Sequence, residues 1–125
     1  MIFLGGYVKE TNMLHYLTQT GKAIPVSIAK TFSGRFWGLM GKKEGTYGLL
    51  LSPCNSIHTL FMRYTLDALF LDKDDKIVAI KRFIKPFSFV PSVRNAKNVL
   101  EFPSSLQASA FLNIGDQITF YKNLE

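Results

Sequence analysis

A chain of 125 residues that is 47% hydrophobic and 19% charged has the size and composition of one globular domain, able to bury a core without disulfides or metal. The composition excludes a disordered segment, no apolar run approaches the ~18 residues of a membrane-spanning helix, and one cysteine excludes an intrachain disulfide. The net charge of +6 comes in basic blocks of at most two residues, which reads as a solvated face, so neither a membrane span nor a nucleic-acid partner is expected.

Residues 1–13 carry little pattern and read as a weakly ordered N-terminal extension, with an apolar part too short for a signal peptide. With the lone thiol, this places the expected location in the cytoplasm. Residues 14–125 then form a single β-rich domain. "LHYLTQT" (14–20) and "PVSIAKT" (25–31) alternate in character and predict an antiparallel hairpin, with Val26 and Ile28 facing one way and Ser27 and Ala29 the other. In "SGRFWGLMG" the period changes: Phe36, Leu39 and Met40 fall at helical spacing after Ser33, predicting a first short helix ended by Gly41.

Three strand-like runs follow, "YGLLLS" (47–52), "SIHTLFM" (56–62) and "LDALFL" (66–71). The last pairs with "KIVAIKRFI" (76–84) across Asp72-Lys73-Asp74-Asp75, a turn that departs from a calcium loop because Ile77 stands where glycine is needed. Residues 85–98 contain Pro86 and Pro91 and read as the longest connection. "NVLEF" (98–102) is a strand stopped by Pro103, and Ser104-Ser105-Leu106-Gln107 has the form of a capping box, predicting a second short helix to about Asn113. A final strand, "QITFY" (117–121), follows the Gly115-Asp116 turn. These elements predict a mainly β fold: a compact antiparallel β-sandwich or barrel-like domain with two short helices.

Chemistry-bearing residues are few. Cys54 and His58 share a face of an extended strand but stand about 13 Å apart, too far for a thiol–imidazole pair. With His15 they are the only nitrogen and sulfur ligands, at no metal-binding spacing, so no metal site and no cofactor are expected. Asp67 and Glu101 lie among apolar neighbours and need partners if buried, for which Arg35 and His58 are the candidates for Asp67. Lys81, Arg82, Lys85, Arg94 and Lys97 are the nearest approach to a basic cluster.

Several of these stretches together resemble one known family. Arg35-Phe36-Trp37-Gly38-Leu39-Met40 is similar to the R-x-x-G-L-M signature of domain of unknown function family 192, "CNSIHTLFM" with "LDALFLD" resembles its second block, and "VLEFP" and "IGDQI" follow in the family's order. The resemblance covers residues 14–121 and implies a compact β-sandwich-like domain of unestablished activity. By motif match it singles out Arg35, Gly38, Leu39, Met40, His58, Met62, Asp67, Glu101, Gly115 and Asp116. The chain departs from the pattern at Gly41-Lys42-Lys43 and at Ser104-Ser105.

Three functions are compatible with these residues. The first is a small-molecule or carbohydrate-binding module whose pocket of Arg35, His58, Asp67 and Glu101 holds a small polar or anionic ligand, with the arginine fork orienting it. The second is a protein-interaction domain in which the motif residues are structural. The third is a hydrolase using Asp67 or Glu101 with His58. Neither the ligand nor the oligomeric state is encoded in any pattern of the chain.

Overall fold

The computed structural model describes residues 14–17, 23–29, 47–60 and 62–121. The expected extension over residues 1–13, the first expected helix and Arg35 lie outside these residues. Nine strands follow one another: β1 (Leu14–Leu17), β2 (Ala23–Ala29), β3 (Gly48–Leu51), β4 (Ile57–His58), β5 (Leu66–Leu71), β6 (Ile77–Ile84), β7 (Phe89–Val90), β8 (Asn98–Pro103) and β9 (Phe120–Tyr121). Seven of them form one sheet in the order β6-β5-β8-β3-β2-β1-β9, and β4 pairs with β7 in a second, two-stranded sheet.

Alternation of side chains divides the core between the two faces of the large sheet. Leu69 and Leu71 of β5, Leu100 and Phe102 of β8, and Ile24 and Val26 of β2 gather on one face with Tyr16, Leu112 and Ile118. Leu66, Ala68 and Phe70, with Val99, Leu49 and Leu51, turn to the other, where Ile57 of the small sheet and Met62 pack against them. Every residue of β5 is buried because this strand has a core on both sides. The expected hairpins form: Leu14 pairs with Val26 across β1–β2, and β5 pairs antiparallel with β6.

The fold is mainly β, but it is neither all-antiparallel nor a closed barrel. Strands β2 and β3 run parallel, with Ile28 opposite Leu50, so the main sheet is mixed. One C-terminal segment reaches both edges. Ile118 N–H donates to the Asp75 carbonyl beside β6, and Phe120 pairs with Tyr16 of β1. This curls the sheet around the first core without closing it.

No α-helix occurs among the described residues. The second expected helix is a single 3-10 turn at Ser104–Leu106, ended by Gln107 in the left-handed region at φ 54°. The capping box is not made because the Ser104 hydroxyl, which would have capped it, donates to Asp67 Oδ1 at 2.7 Å instead. The stretch 56–62 also differs from expectation. Among its described residues only Ile57–His58 is strand, and Met62 N–H donates back to the Thr59 carbonyl.

Gly48 marks a close approach inside the sheet. A Cβ built there would lie 2.5 Å from the Phe102 ring and 3.0 Å from the Glu101 carbonyl oxygen, so the largest aromatic of this row fits only because residue 48 has no side chain.

Candidate functional site

Asp67 is the second residue of β5, only 2% exposed, and its carboxyl group accepts three hydrogen bonds from described residues. Phe83 N–H (2.9 Å) and the Ser104 hydroxyl (2.7 Å) donate to Oδ1, and the Ser109 hydroxyl (2.9 Å) donates to Oδ2. His58 is not among these donors. Ser109 is itself held by Arg82, whose Nε donates to the Ser109 hydroxyl at 3.0 Å and whose Nη2 donates to the Ser109 and Leu112 carbonyls. A buried polar group needs such partners, and Asp67 finds them in hydroxyls and backbone.

The position of Asp67 also explains a break in the β5–β6 ladder. Leu66 pairs with Ile84 and Ala68 with Lys81, so Asp67 alone stands opposite the two residues Arg82 and Phe83. This is a β-bulge, and the Phe83 N–H that would have bonded a strand backbone bonds the Asp67 side chain. The bulge puts Phe83 at φ 55°, a backbone region that bulky residues rarely occupy. Its ring is turned out, 67% exposed.

Glu101 is on the opposite face. Ala68 pairs with Glu101 and Asp67 with Phe102, and facing residues of a ladder share a side, so the two carboxyl groups point away from each other through the sheet. Glu101 lies between Leu49 and Ala68 in the second core. No hydrogen-bond donor among the described residues reaches its carboxyl, and burial pushes its pKa up to about 8. The structure thus does not bring Asp67 and Glu101 into one pocket. His58 lies in neither core; it pairs with Phe89 in the small sheet, and its Nδ1 accepts Leu60 N–H at 3.3 Å. Cys54 donates to the Ser56 carbonyl at 2.9 Å.

The residue that sequence reading passed over is Thr59, between the histidine and the leucine of "CNSIHTLFM". It is 1% exposed and forms the hub of the β6–β7 connection. Its hydroxyl donates to the Lys85 carbonyl at 2.6 Å and accepts Ser88 N–H at 2.7 Å, while its carbonyl accepts Phe87 N–H at 2.8 Å. Phe87 is thereby held at φ 61°, again left-handed, with its ring 66% exposed.

The two buried hubs share one consequence. From Phe83 to Phe89, the exposed positions are Phe83, Lys85, Phe87 and Phe89, while Ile84 is buried and Pro86 and Ser88 are half-buried. The usual alternation is inverted, with large aromatics outward. Charge is uneven along the same axis, with Lys73 and Lys76 interspersed among the carboxyl groups of the far turn. Asp72, Asp74 and Asp75 occupy the turn at the far end of the β5–β6 hairpin, and the Asp116 carbonyl binds Ile77 N–H there. The Ile84 end, about 25 Å away along the strand, carries Lys81, Lys85 and, in the loop before β5, Arg63. The expected basic cluster is split: Lys97 N–H donates to the Leu71 carbonyl at the acidic end, and Arg82 is occupied with Ser109.

Among the described residues no group of three or more His, Cys, Asp or Glu side chains is arranged to hold a metal ion, and no helix is long and apolar enough to cross a membrane.

The family model described as "Uncharacterized ACR", domain of unknown function family 192, matches residues 15–120. The chain belongs to this family. A family 192 relative in Pyrococcus furiosus, a UPF0127 protein, is 31% identical over 100 residues, covering 76% of this chain and 85% of its own. Another in Thermococcus sibiricus is 35% identical over 99 residues, covering 74% of this chain and 64% of the relative. Among solved structures, a protein of unknown function from Novosphingobium aromaticivorans superposes with a TM-score of 0.72 at 20% identity, covering 86% of this chain and 83% of that one. One described as a putative transcription regulator from Sinorhizobium meliloti gives 0.71 at 22% identity, covering 86% and 92%. At these identities the two likenesses establish the fold alone.

Proposed function

We propose that this family 192 domain is a docking platform, whose polar motif residues hold an aromatic and basic ridge, Phe83–Phe89, against a partner. One observation carries the reading: Phe83 and Phe87 both occupy left-handed backbone, and in each case a buried residue, Asp67 or Thr59, accepts the N–H that fixes it there. Backbone strain of order 1 kcal/mol at each of two exposed aromatic residues accompanies bonds that satisfy buried Asp67 and Thr59, and it leaves both rings outside the core, which supports reading them as display. The hydrolase alternative has less support, because Asp67 is buried among three structural donors and Glu101 faces the other side of the sheet. A small-ligand module is a second reading, favoured by the buried Glu101 carboxyl without a partner among the described residues.

The test combines dye binding with thermal shift. The docking reading expects the apolar dye anilinonaphthalene sulfonate to bind the native protein, and the double variant Phe87→Ser, Phe89→Ser to lose that binding at an unchanged melting temperature. Stabilisation by a sugar, nucleotide or organic acid that disappears in Glu101→Gln, with no dye binding to the native protein, would favour the ligand module instead.

A further inference from the structure

Resting on the docking reading, we propose that the ridge seats this domain on an anionic phospholipid surface, with the rings of Phe83, Phe87 and Phe89 at the acyl boundary and Arg63, Lys81 and Lys85 at the headgroup phosphates. Charge complementarity is the first argument. From Ile77 to Leu100 the chain holds Lys81, Arg82, Lys85, Arg94 and Lys97 and no acidic residue. Of the described carboxyl groups, Asp67 and Glu101 are buried, and Asp72, Asp74, Asp75 and Asp116 are gathered at the opposite end of the hairpin, where Lys73, Lys76 and Lys97 offset part of their charge. A molecule with this polarity turns its ridge toward a negative surface and its acidic turn away.

The second argument concerns the backbone. A peptide partner would add a strand to a free edge, but the ridge offers little to pair with. Phe83 N–H is bonded to Asp67, Phe87 and Ser88 N–H to Thr59, and the Lys85 and Ser88 carbonyls accept the Thr59 hydroxyl. Pro86 has no N–H to give. What remains outward is apolar surface and positive charge, to which Leu60, also exposed beside Thr59, adds. A bilayer interface is recognised by those two properties without hydrogen-bond register. The fixed backbone also means that the rings need not be ordered on binding, which is the usual cost of inserting a loop.

Co-sedimentation with vesicles of phosphatidylcholine alone, and of phosphatidylcholine and phosphatidylserine in equal parts, tests the proposal. The protein is expected to bind the mixed vesicles, to leave the neutral ones in the supernatant comparison, and to be released as salt is raised. Lys85→Ala should weaken binding by roughly fivefold, the share of one cation near such a surface. Phe87→Ser with Phe89→Ser should weaken it by about tenfold or more, with melting temperature unchanged. No binding to the mixed vesicles, or binding that these variants leave intact, overturns the lipid assignment. If the ridge variants instead abolish binding to a single-stranded oligonucleotide, or dissociate a dimer seen by sedimentation velocity, the lipid assignment falls while the docking reading stands. If no vesicle, oligonucleotide or second copy binds and the native protein also fails to bind the dye, both fall.

Discussion

Individual residues in this chain do work that their chemistry alone does not announce. Asp67 and Glu101 both read as buried carboxyls in need of partners, yet one accepts three hydrogen bonds and the other none among the described residues. Their substitutions should separate accordingly. Asp67→Ala leaves Phe83 N–H and two serine hydroxyls without an acceptor and should lower unfolding free energy by about 3 kcal/mol, measured by urea denaturation. Thr59→Val keeps the shape but abandons Ser88 N–H and the Lys85 carbonyl, with an expected loss of about 2 kcal/mol in the same measurement. For Glu101 the signature is pH. Burial raises its pKa from 4.5 to about 8 in the folded protein, so the native state holds a proton that the unfolded chain has released between those values. Its contribution is fully present below pH 4.5 and is lost as pH rises through about 8, a fall of up to about 1.4 kcal/mol per pH unit. Denaturation across this window should show the slope, and Glu101→Gln should flatten it; an identical slope in the variant would assign it to other groups.

At the scale of elements, the strands that were legible in the sequence are those with local causes. The β5–β6 hairpin could be read because Asp72 closes its own turn, its Oδ1 accepting Asp74 and Lys76 N–H. These same bonds hold the Asp72 pKa below its ordinary value. The strand in "NVLEF" was readable as a short apolar run, and it extends one residue beyond the expected stop to include Pro103, which pairs with Leu66. What was not legible had distant causes. The parallel β2–β3 pairing is fixed by contacts across the sheet, and the helix expected after Ser104 is lost because a residue 37 positions earlier takes the serine hydroxyl. Likewise, nothing in "CNSIHTLFM" distinguishes Thr59, whose bonds outside this stretch go to Lys85, Phe87 and Ser88. Of the expected site residues, the burial of Asp67 and Glu101 was readable from their apolar neighbours, whereas their opposite facing follows only from the register of β5 against β8. Gly48 offers a test at this scale. Gly48→Ala drives a Cβ into the Phe102 ring and should destabilise by about 2 kcal/mol, and Phe102→Leu in the same chain should restore part of it. Simple additivity of the two losses would show that the contact is not the cause.

Over the whole molecule, two cores back to back on one sheet supply the stability, and the β6–β7 end exposes Phe83, Phe87 and Phe89, while Phe111 and Ile114 are exposed in the C-terminal segment. Phe83, Phe87 and Phe89, at 67%, 66% and 68% exposure, contribute little to folding and would be a liability on an edge strand unless something covers them. Amide hydrogen exchange of the native protein, with and without vesicles of phosphatidylcholine and phosphatidylserine in equal parts, is the most direct measurement of what that is. The account predicts slowed exchange confined to residues 83–89 and the loop around Leu60, with the Asp72–Lys76 turn unchanged. Unchanged exchange along the ridge, or protection centred on the acidic turn, would contradict it.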